Sequence, residues 1–211
     1  MAEERGVGVG PHLPPWPDDD RLDEELLAQG DRRNVLDEYR YWTTEAIIAD
    51  LDGRRHGFHV AIENFQHDFN IGTIVRNANA FLAHTVHIVG KKRWNRRGAM
   101  VTDRYQHIEH HRSVDEFADR ATATGLRIVG IDITDRSTAI ETAYLPVRCV
   151  LVFGQEGPGL SDEMVERCAE VLHITQYGST RSINVGVASG IAMHEMLRRL
   201  RTNDGPQMTE D

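Results

Sequence analysis

The stretch LVFGQEGPGLS, residues 151–161, decides how the fold is interpreted, because it joins an apolar run to three closely spaced glycines. The apolar run ends at Phe153, and a helical pattern begins at Asp162. Glycines after a buried strand let the backbone approach a ligand closely. Their spacing matches neither the dinucleotide fingerprint nor the phosphate-binding loop, which needs a lysine. The stretch therefore predicts a ligand-binding turn that does not serve NAD or ATP, although a tight turn alone would also explain it.

Two other stretches have the same character, NIGTIVR at residues 70–76 and STRSINVGVASG at residues 179–190. Each places small polar residues and glycine where an apolar run meets a helical pattern. Such junctions leave backbone N–H groups free to meet a ligand. Three junctions of this kind in one domain indicate a ligand site rather than a purely structural scaffold.

The charge of the 211-residue chain is unevenly distributed around its net value of −9. Residues 1–63 carry a net charge of −8, residues 64–112 of +5, and residues 113–211 of −6. Steering of an anionic partner depends on the local field, so the basic middle segment can bind phosphate although the whole protein is acidic.

The two cysteines, Cys149 and Cys168, lie in or beside apolar runs, which predicts reduced core residues in a cytoplasmic protein. The sequence contains no run of about eighteen apolar residues, so we expect no membrane span. The first residues lack a basic segment followed by an apolar one, so no signal peptide is expected.

Strand-like runs alternate with helical patterns, which predicts an α/β fold with a parallel sheet covered by helices. The predicted strands are Phe58–Ile62, Thr85–Val89, Arg127–Ile131, Cys149–Phe153 and Val171–Ile174. The predicted helices are Ile71–Leu82, Val114–Thr124, Asp162–Glu170 and Val185–Arg201. We predict a disordered tail over 1–20, a helical N-terminal arm over 21–57, a compact α/β domain over 58–201 and a flexible tail over 202–211.

Three motifs in order give a resemblance to a known family: Asn64, Asn70, Gly72 and Arg76; then the loop Phe153–Ser161; then Ser182–Val185. Over residues 58–200, the chain resembles the SpoU (TrmH-like) branch of the SPOUT RNA methyltransferases. The resemblance implies a C-terminal trefoil knot, S-adenosylmethionine bound by knot loops, and a homodimer. It also implies methylation of a ribose 2′-hydroxyl in tRNA or rRNA.

The resemblance implies a cofactor pocket with apolar walls and backbone donors, formed by the knot loops. We expect it to be lined by Val152, Phe153, Gly154, Glu156, Gly157, Leu160, Ile174, Gln176, Ser182, Ile183, Asn184 and Val185. Gly186 stands where many relatives have serine, a departure that we expect to be tolerated.

The resemblance makes Arg76 the catalytic residue, surrounded by Asn70, Glu156, Ser182 and Asn184. A guanidinium stays protonated in proteins, so we expect Arg76 to grip a phosphate and stabilise developing oxyanion charge rather than act as the base. An ordinary turn acid is the alternative for Glu156. Asn184 is also suited to cap the last helix, which is compatible with a catalytic role.

A basic loop follows the second predicted strand and surrounds a tryptophan. This composition favours looped RNA, with phosphate contacts and base stacking, although a solvated basic surface would have the same composition. The predicted RNA-binding residues are Lys91, Lys92, Arg93, Trp94, Arg96 and Arg97. The nearby His107, His110 and His111 have no accompanying cysteine or carboxylate ligand pattern, so no metal is predicted.

Two alternative functions remain open at this point. One is a knotted RNA-binding protein that has lost catalysis, which the intact Arg76, Glu156, Ser182 and Asn184 argue against. The other is a Rossmann oxidoreductase, which the missing fingerprint disfavours. The sequence specifies neither the RNA nor the nucleotide.

Overall fold

The computed structural model of the protein describes residues 8–65 and 70–202. Among these residues, seven strands form one parallel sheet in the order β3-β2-β1-β6-β4-β7-β5. The strands are His59–Asn64 (β1), Thr85–Gly90 (β2), His107–His111 (β3), Arg127–Ile131 (β4), Thr138–Ala139 (β5), Cys149–Phe153 (β6) and Glu170–His173 (β7). The helices are Glu24–Gln29 (α1), Thr44–Asp52 (α2), Ile71–Ala80 (α3), Val114–Ala123 (α4), Asp162–Arg167 (α5) and Val185–Thr202 (α6). The predicted parallel α/β fold is therefore confirmed.

The central strand β6 shows how both faces of the sheet become buried. Leu151 and Phe153 point into one hydrophobic cluster, which includes residues of α3 and α6. The alternate residues Val150 and Val152 point into a second cluster, which includes residues of α4 and α5. A strand covered on both faces reads as an unbroken apolar run, which explains why β6 is evident in the sequence.

Two strands of the structure are absent from the sequence-based prediction. Strand β3 contains three histidines and a glutamate among its five residues, so it lacks an apolar pattern. Strand β5 has only two residues, Thr138 and Ala139. Both lie at the edges of the sheet, where a strand needs little apolar surface.

Two predicted helix ends are wrong by two to three residues. Helix α3 ends at Ala80, and Leu82 has a positive φ of 52°, which stops the helix before the predicted end. Helix α5 ends at Arg167 because Cys168 is extended, with φ −70° and ψ 133°. The extended backbone lets β7 begin at Glu170.

The N-terminal arm packs against the sheet domain. Tyr39 is buried in a cluster with Ile47 and Leu51 of α2 and with Tyr105, which precedes β3. Arg55, whose side chain is 2% exposed, pairs with Asp52 at 2.7 Å and donates to the Tyr105 carbonyl at 2.7 Å. The arm and the domain therefore share buried contacts.

The first described residues lie along this arm, although their composition predicts disorder. Val9 and Asp31 form an antiparallel bridge, and the Tyr41 hydroxyl donates to the Gly10 carbonyl at 2.6 Å. Residues 1–7, 66–69 and 203–211 lie outside the described residues. In the part that the structure describes, no helix is long and apolar enough to cross a membrane.

Close backbone approach at two glycines joins the elements around α3. A Cβ at Gly72 would lie 2.7 Å from the Ala99 nitrogen and 2.8 Å from the Gly98 Cα, so α3 contacts the 3-10 turn Arg96–Ala99 directly. A Cβ at Gly186 would lie 2.9 Å from the Thr73 Cγ2. Glycine at these positions brings the basic loop and the start of α6 against the same helix.

Candidate functional site

A cavity of about 360 Å³ lies at the carboxyl end of the sheet, where the chain leaves β4, β6 and β7. Ligands of open parallel sheets bind outside these strand ends. Its walls are Ile131, Asp132, Ile133, Gly154, Gln155, Glu156, Gly157, Gly159, His173, Ile174, Gln176, Ser182, Ile183, Asn184, Val185 and Ala188. The start of α6 therefore closes a pocket made by three strand ends.

The loop after β6 folds back on itself to form one wall. Gln155 and Gly159 exchange two backbone hydrogen bonds, of 3.0 and 3.1 Å. A Cβ on Gly154 would lie 2.1 Å from the Gly159 carbonyl carbon, which only glycine permits. Gly157 and Gly159 have φ values of +99° and +76°, a region that favours glycine. The three glycines seen in the sequence thus make the turn possible.

A buried carboxylate holds the far end of this loop. Glu63, at the end of β1, accepts hydrogen bonds from the Ser161 backbone N–H at 2.8 Å and from the Ser161 hydroxyl at 2.6 Å. Ser161 in turn caps α5 by accepting from the Met164 N–H. Burial raises the pKa of the Glu63 carboxyl, while the Ser161 bonds act in the opposite direction. Glu63 is not among the site residues predicted from the sequence, where its only signal is an acid inside an apolar strand.

Asp132 is a second acid at the site that is not among the residues predicted from the sequence. It directly follows β4, lines the cavity, and accepts from the Leu160 N–H at 2.8 Å and the Ile133 N–H at 2.7 Å. The side chain thereby ties the loop after β6 to the loop after β4. A polar residue directly after a buried parallel strand was the available signal.

Three polar side chains from distant segments form one hydrogen-bonded chain beside the cavity. The Asn184 amide donates to the Asn70 Oδ1 at 3.0 Å, and the Asn70 amide donates to the Glu156 Oε2 at 2.8 Å. The Asn184 Oδ1 accepts from the Gly186 N–H at 2.9 Å, so the same residue caps α6. The structure thus brings the three sequence motifs together.

Most of the predicted cofactor-binding residues line the cavity. Gly154, Glu156, Gly157, Ile174, Gln176, Ser182, Ile183, Asn184 and Val185 are at its wall. The structure does not place Val152, Phe153 and Leu160 there, because these side chains are buried in the two hydrophobic clusters. Val152 and Phe153 belong to the buried strand β6, and Leu160 of the following loop packs into the core beside α5, so none of them reaches the ligand space.

The cavity wall combines apolar with polar residues, and two of its buried acceptors have no partner among the described residues. These acceptors are the side-chain oxygens Oε1 of Gln155 and Gln176, and both residues line the cavity. Buried polar atoms are nearly always paired in folded proteins. The two oxygens therefore suit a ligand that carries hydrogen-bond donors.

Arg76 lies outside the cavity lining, on the exposed side of α3 and less than two helical turns beyond Asn70. Ser182 is exposed at the cavity wall, and its carbonyl accepts from the Thr180 hydroxyl at 2.9 Å. Of the five predicted catalytic residues, the structure joins Asn184, Asn70 and Glu156 in one hydrogen-bonded chain, and Arg76 and Ser182 do not belong to it.

The basic loop presents its charges to solvent. Lys91, Lys92, Arg93, Arg96 and Arg97 are exposed, whereas Trp94 is half-buried and packs against the larger hydrophobic cluster. Arg96 lies over the Trp94 ring, 5.6 Å from its centroid, and pairs with Asp103 at 3.4 Å. Asn64, at the end of β1, donates to the Lys91 and Arg93 carbonyls at 2.6 and 3.1 Å. A buried amide therefore fixes the base of the loop.

Comparisons with known proteins agree with this arrangement. Residues 57–194 match the SpoU rRNA Methylase family. A Mycobacterium ulcerans protein named as an uncharacterized tRNA/rRNA methyltransferase is 31% identical over 204 residues, covering 89% of this chain and 62% of that protein. The chain thus spans less than two thirds of the length of this relative.

Two solved structures share the fold. The TrmH/SpoU tRNA modifying enzyme of A. aeolicus superposes with a TM-score of 0.66 at 25% identity, covering 79% of this chain and 88% of that one. The AdoMet-bound rRNA methyltransferase of Sinorhizobium meliloti superposes with a TM-score of 0.62 at 25% identity, covering 72% of this chain and 60% of that one.

Proposed function

This chain belongs to the SpoU rRNA Methylase family, and we propose that it transfers a methyl group from S-adenosylmethionine to a ribose 2′-hydroxyl in tRNA or rRNA. The hydrogen-bonded chain Asn184–Asn70–Glu156 carries this proposal. This hydrogen-bonded chain brings polar side chains from three distant segments together beside one cavity. The packing of the sheet and its helices does not by itself require such an arrangement. The A. aeolicus and S. meliloti structures, a tRNA modifying enzyme and an AdoMet-bound rRNA methyltransferase, support the same reaction class.

The lining of the cavity suits the polarity of S-adenosylmethionine. Ile174, Ile183 and Val185 offer apolar walls to an adenine ring, and the unpaired oxygens of Gln155 and Gln176 can accept from amino groups. When bound, the cofactor supplies an electrophilic methyl carbon on a sulfonium. The chain's own contribution is to exclude water from this carbon and to hold the acceptor oxygen in line with it.

We assign Arg76 to the RNA rather than to the cofactor, since it lies outside the cavity lining and points to solvent. Its guanidinium can bind the phosphate beside the target ribose and stabilise negative charge on the 2′-oxygen. Because the guanidinium stays protonated, it does not take up the hydroxyl proton. Asn70 and Asn184 fix the position of Glu156 at the cavity wall.

The RNA surface that we propose combines Arg76 with the basic loop. The contact of Gly72 with Gly98 and Ala99 packs the end of this loop against the start of α3, so both sets of charges belong to one side of the protein. Lys91, Lys92, Arg93 and Arg97 are exposed there and suited to phosphate contacts.

We further propose that the protein acts in the cytoplasm as a homodimer and that its C-terminal half carries the trefoil knot of its family. The two free cysteines, one buried and one half-buried, suit a reducing compartment. Val187 and Ile191 are exposed on α6 at a spacing of four residues, which offers an apolar stripe for a second copy.

A methyl-transfer assay on total RNA tests the proposed reaction. Wild-type protein with tritium-labelled S-adenosylmethionine should label RNA from a strain that lacks the gene, and digestion to nucleosides should place the label on ribose. Arg76→Ala should lower turnover by about 100- to 1000-fold, the usual effect of removing one preorganised charge, and leave cofactor affinity unchanged. Arg112→Ala, which removes an exposed arginine paired with Glu116 on α4, is the matched control.

Substantial turnover by Arg76→Ala would show that Arg76 has another role. A wild-type protein that binds cofactor and RNA but labels no RNA from the deletion strain would support the inactive RNA-binding alternative instead.

A further inference from the structure

A row of imidazoles crosses β1, β2 and β3 on the face of the sheet that α4 covers. His59 Nδ1 lies 2.9 Å from His87 Nε2, and His87 Nδ1 lies 2.9 Å from His111 Nε2. His87 and His111 are buried, with 2% and 5% of their surface exposed. Phe117 of α4 covers both rings, at centroid distances of 5.6 Å. The sheet therefore carries a shielded nitrogen cluster at the edge far from β5 and β7.

Strand pairing adds a carboxylate to this cluster. Glu109 of β3 is the register partner of His87, and its Oε2 lies 3.8 Å from the His87 Nδ1. Ligand atoms of His87, Glu109 and His111 all lie within 4.8 Å of one another. From His107, His110 and His111 alone no metal is predicted, and Glu109 and His111 of this segment give only two ligands on one face of β3. The pairing of β2 with β3 adds the third ligand, His87.

The two imidazoles are available as neutral ligands. Burial lowers the pKa of His87 to about 3, and burial also lowers the pKa of His111. If the His87 Nε2–H donates to the His59 Nδ1, the His87 Nδ1 lone pair faces the cluster. A hydrogen bond from the other ring nitrogen is the usual way in which proteins orient a metal-binding histidine.

We propose that His87, Glu109 and His111 bind one divalent transition-metal ion of the zinc class, which ties the edge strand β3 to β2. Two imidazoles and a carboxylate are a donor set that zinc accepts, with bonds of about 2.0–2.2 Å. Tetrahedral ligand atoms at such bond lengths are separated by about 3.3 Å. The observed separations of 2.9 and 3.8 Å lie on either side of this value.

The residues around the proposed ion indicate a structural rather than a catalytic role for it. Arg120 of α4 binds the Glu109 carboxylate at 2.9 and 3.0 Å, so a metal would share this ligand with the guanidinium. The Glu109 side chain is 36% exposed, which leaves a path for the ion and for a water as fourth ligand. The ligands lie on β2 and β3, and β1 separates them from β6 and its loop, so the ion would stabilise the sheet edge and not the cavity.

Titration of tag-free, metal-stripped protein with zinc chloride tests the proposal. Calorimetry should give one ion per chain, and zinc should raise the midpoint of thermal unfolding. His111→Gln and Glu109→Gln should each lose most of this affinity and the thermal shift. His110→Gln is the matched control, because this neighbouring side chain bonds to the Gly90 carbonyl at 2.7 Å and lies on the other face.

A measurement of the metal's ligands in the wild-type protein tests the proposal even if a variant fails to fold. X-ray absorption of the cobalt-loaded protein should show two imidazole nitrogens and at least one oxygen around the metal. His59→Gln should weaken binding by about 10- to 100-fold, the usual effect of removing the partner that orients a ligand. Absence of stoichiometric binding, a ligand shell without imidazole, or equal affinity in His110→Gln and His111→Gln would overturn the proposal.

Discussion

At the scale of single residues, Asn184 has two structural roles that a substitution can separate. Its Oδ1 caps α6, and its amide holds Asn70. Asn184→Ser should keep the cap, since serine is as good an N-cap as asparagine, but a hydroxyl is too short to replace the bond to Asn70. We expect the free energy of unfolding to change little, whereas cofactor affinity and turnover should fall.

Two further variants, Asn184→Ala and Ser113→Ala, serve as controls for the two roles of Asn184. Asn184→Ala should lose both roles and about 0.5–2 kcal/mol of stability. Ser113→Ala, which removes the cap of α4 far from the cavity, should lose similar stability with normal activity. Full turnover in Asn184→Ser would mean that the bond to Asn70 is dispensable.

Residues that serve the cavity were predictable from sequence where they belong to a motif or, like Gln176, lie between the last predicted strand and the third motif. Gln176, Ile183 and Asn184 were predicted and line the pocket. Glu63 and Asp132 were missed because each acts through the fold, accepting backbone N–H groups of a loop that is distant in sequence. The position of a single acid within or directly after a strand does not identify the distant loop whose N–H groups it accepts.

At the scale of elements, the loop after β6 depends on the close approach at Gly154. In Gly154→Ala, the new Cβ would meet the Gly159 and Leu160 backbone at 2.1–2.2 Å, so the loop must move. We expect a loss of about 1–3 kcal/mol, typical of overpacking, and weak cofactor binding by calorimetry. Gly178→Ala is the control, because its added Cβ meets nothing within 4 Å. Wild-type cofactor affinity in Gly154→Ala would show that the cavity does not use this loop.

The basic loop should supply affinity for RNA with little sequence information. Neutralising Arg93 and Arg97 together should weaken RNA binding and lower the log–log salt slope by about 1–2 units, since each phosphate contact contributes about 0.7–0.9. Cofactor affinity should not change. An unchanged slope with normal folding would make the loop an ordinary solvated surface.

Trp94 has a packing role in the protein that the composition of the basic loop does not predict. It packs against the core and under Arg96, so Trp94→Ala would remove packing as well as any base stacking. Stability must therefore be measured beside RNA affinity for this variant.

The elements themselves were predictable where burial imposes a pattern. Strands β1, β2, β4, β6 and β7 read as apolar runs because helices cover both faces of the sheet. Strand β3 was not predictable because it has no apolar pattern. Pairing with β2 and a hydrogen bond between histidines stabilise it instead. Only the assembled sheet shows that His87, Glu109 and His111 are neighbours.

At the scale of the whole molecule, we expect a dimer of 23.9-kDa chains at low micromolar concentration. Family membership and the exposed Val187 and Ile191 on α6 motivate this prediction. Light scattering should give twice the chain mass, and the double variant Val187→Asp, Ile191→Asp should shift the mass towards that of the monomer. A wild-type mass near that of one chain throughout the range would contradict the prediction.

The middle of the sheet has a consequence for how the chain reaches this structure. Strand β6 lies between β1 and β4 in the sheet. Val150 of β6 pairs with His59 of β1, about ninety residues earlier in the chain. Contacts between such distant segments close large loops, which slows folding. Until β6 inserts, β1 and β4 each present a row of unpaired backbone groups to other unfinished chains. We therefore expect the insertion of β6, the strand that carries the glycine loop, to set the risk of aggregation during folding.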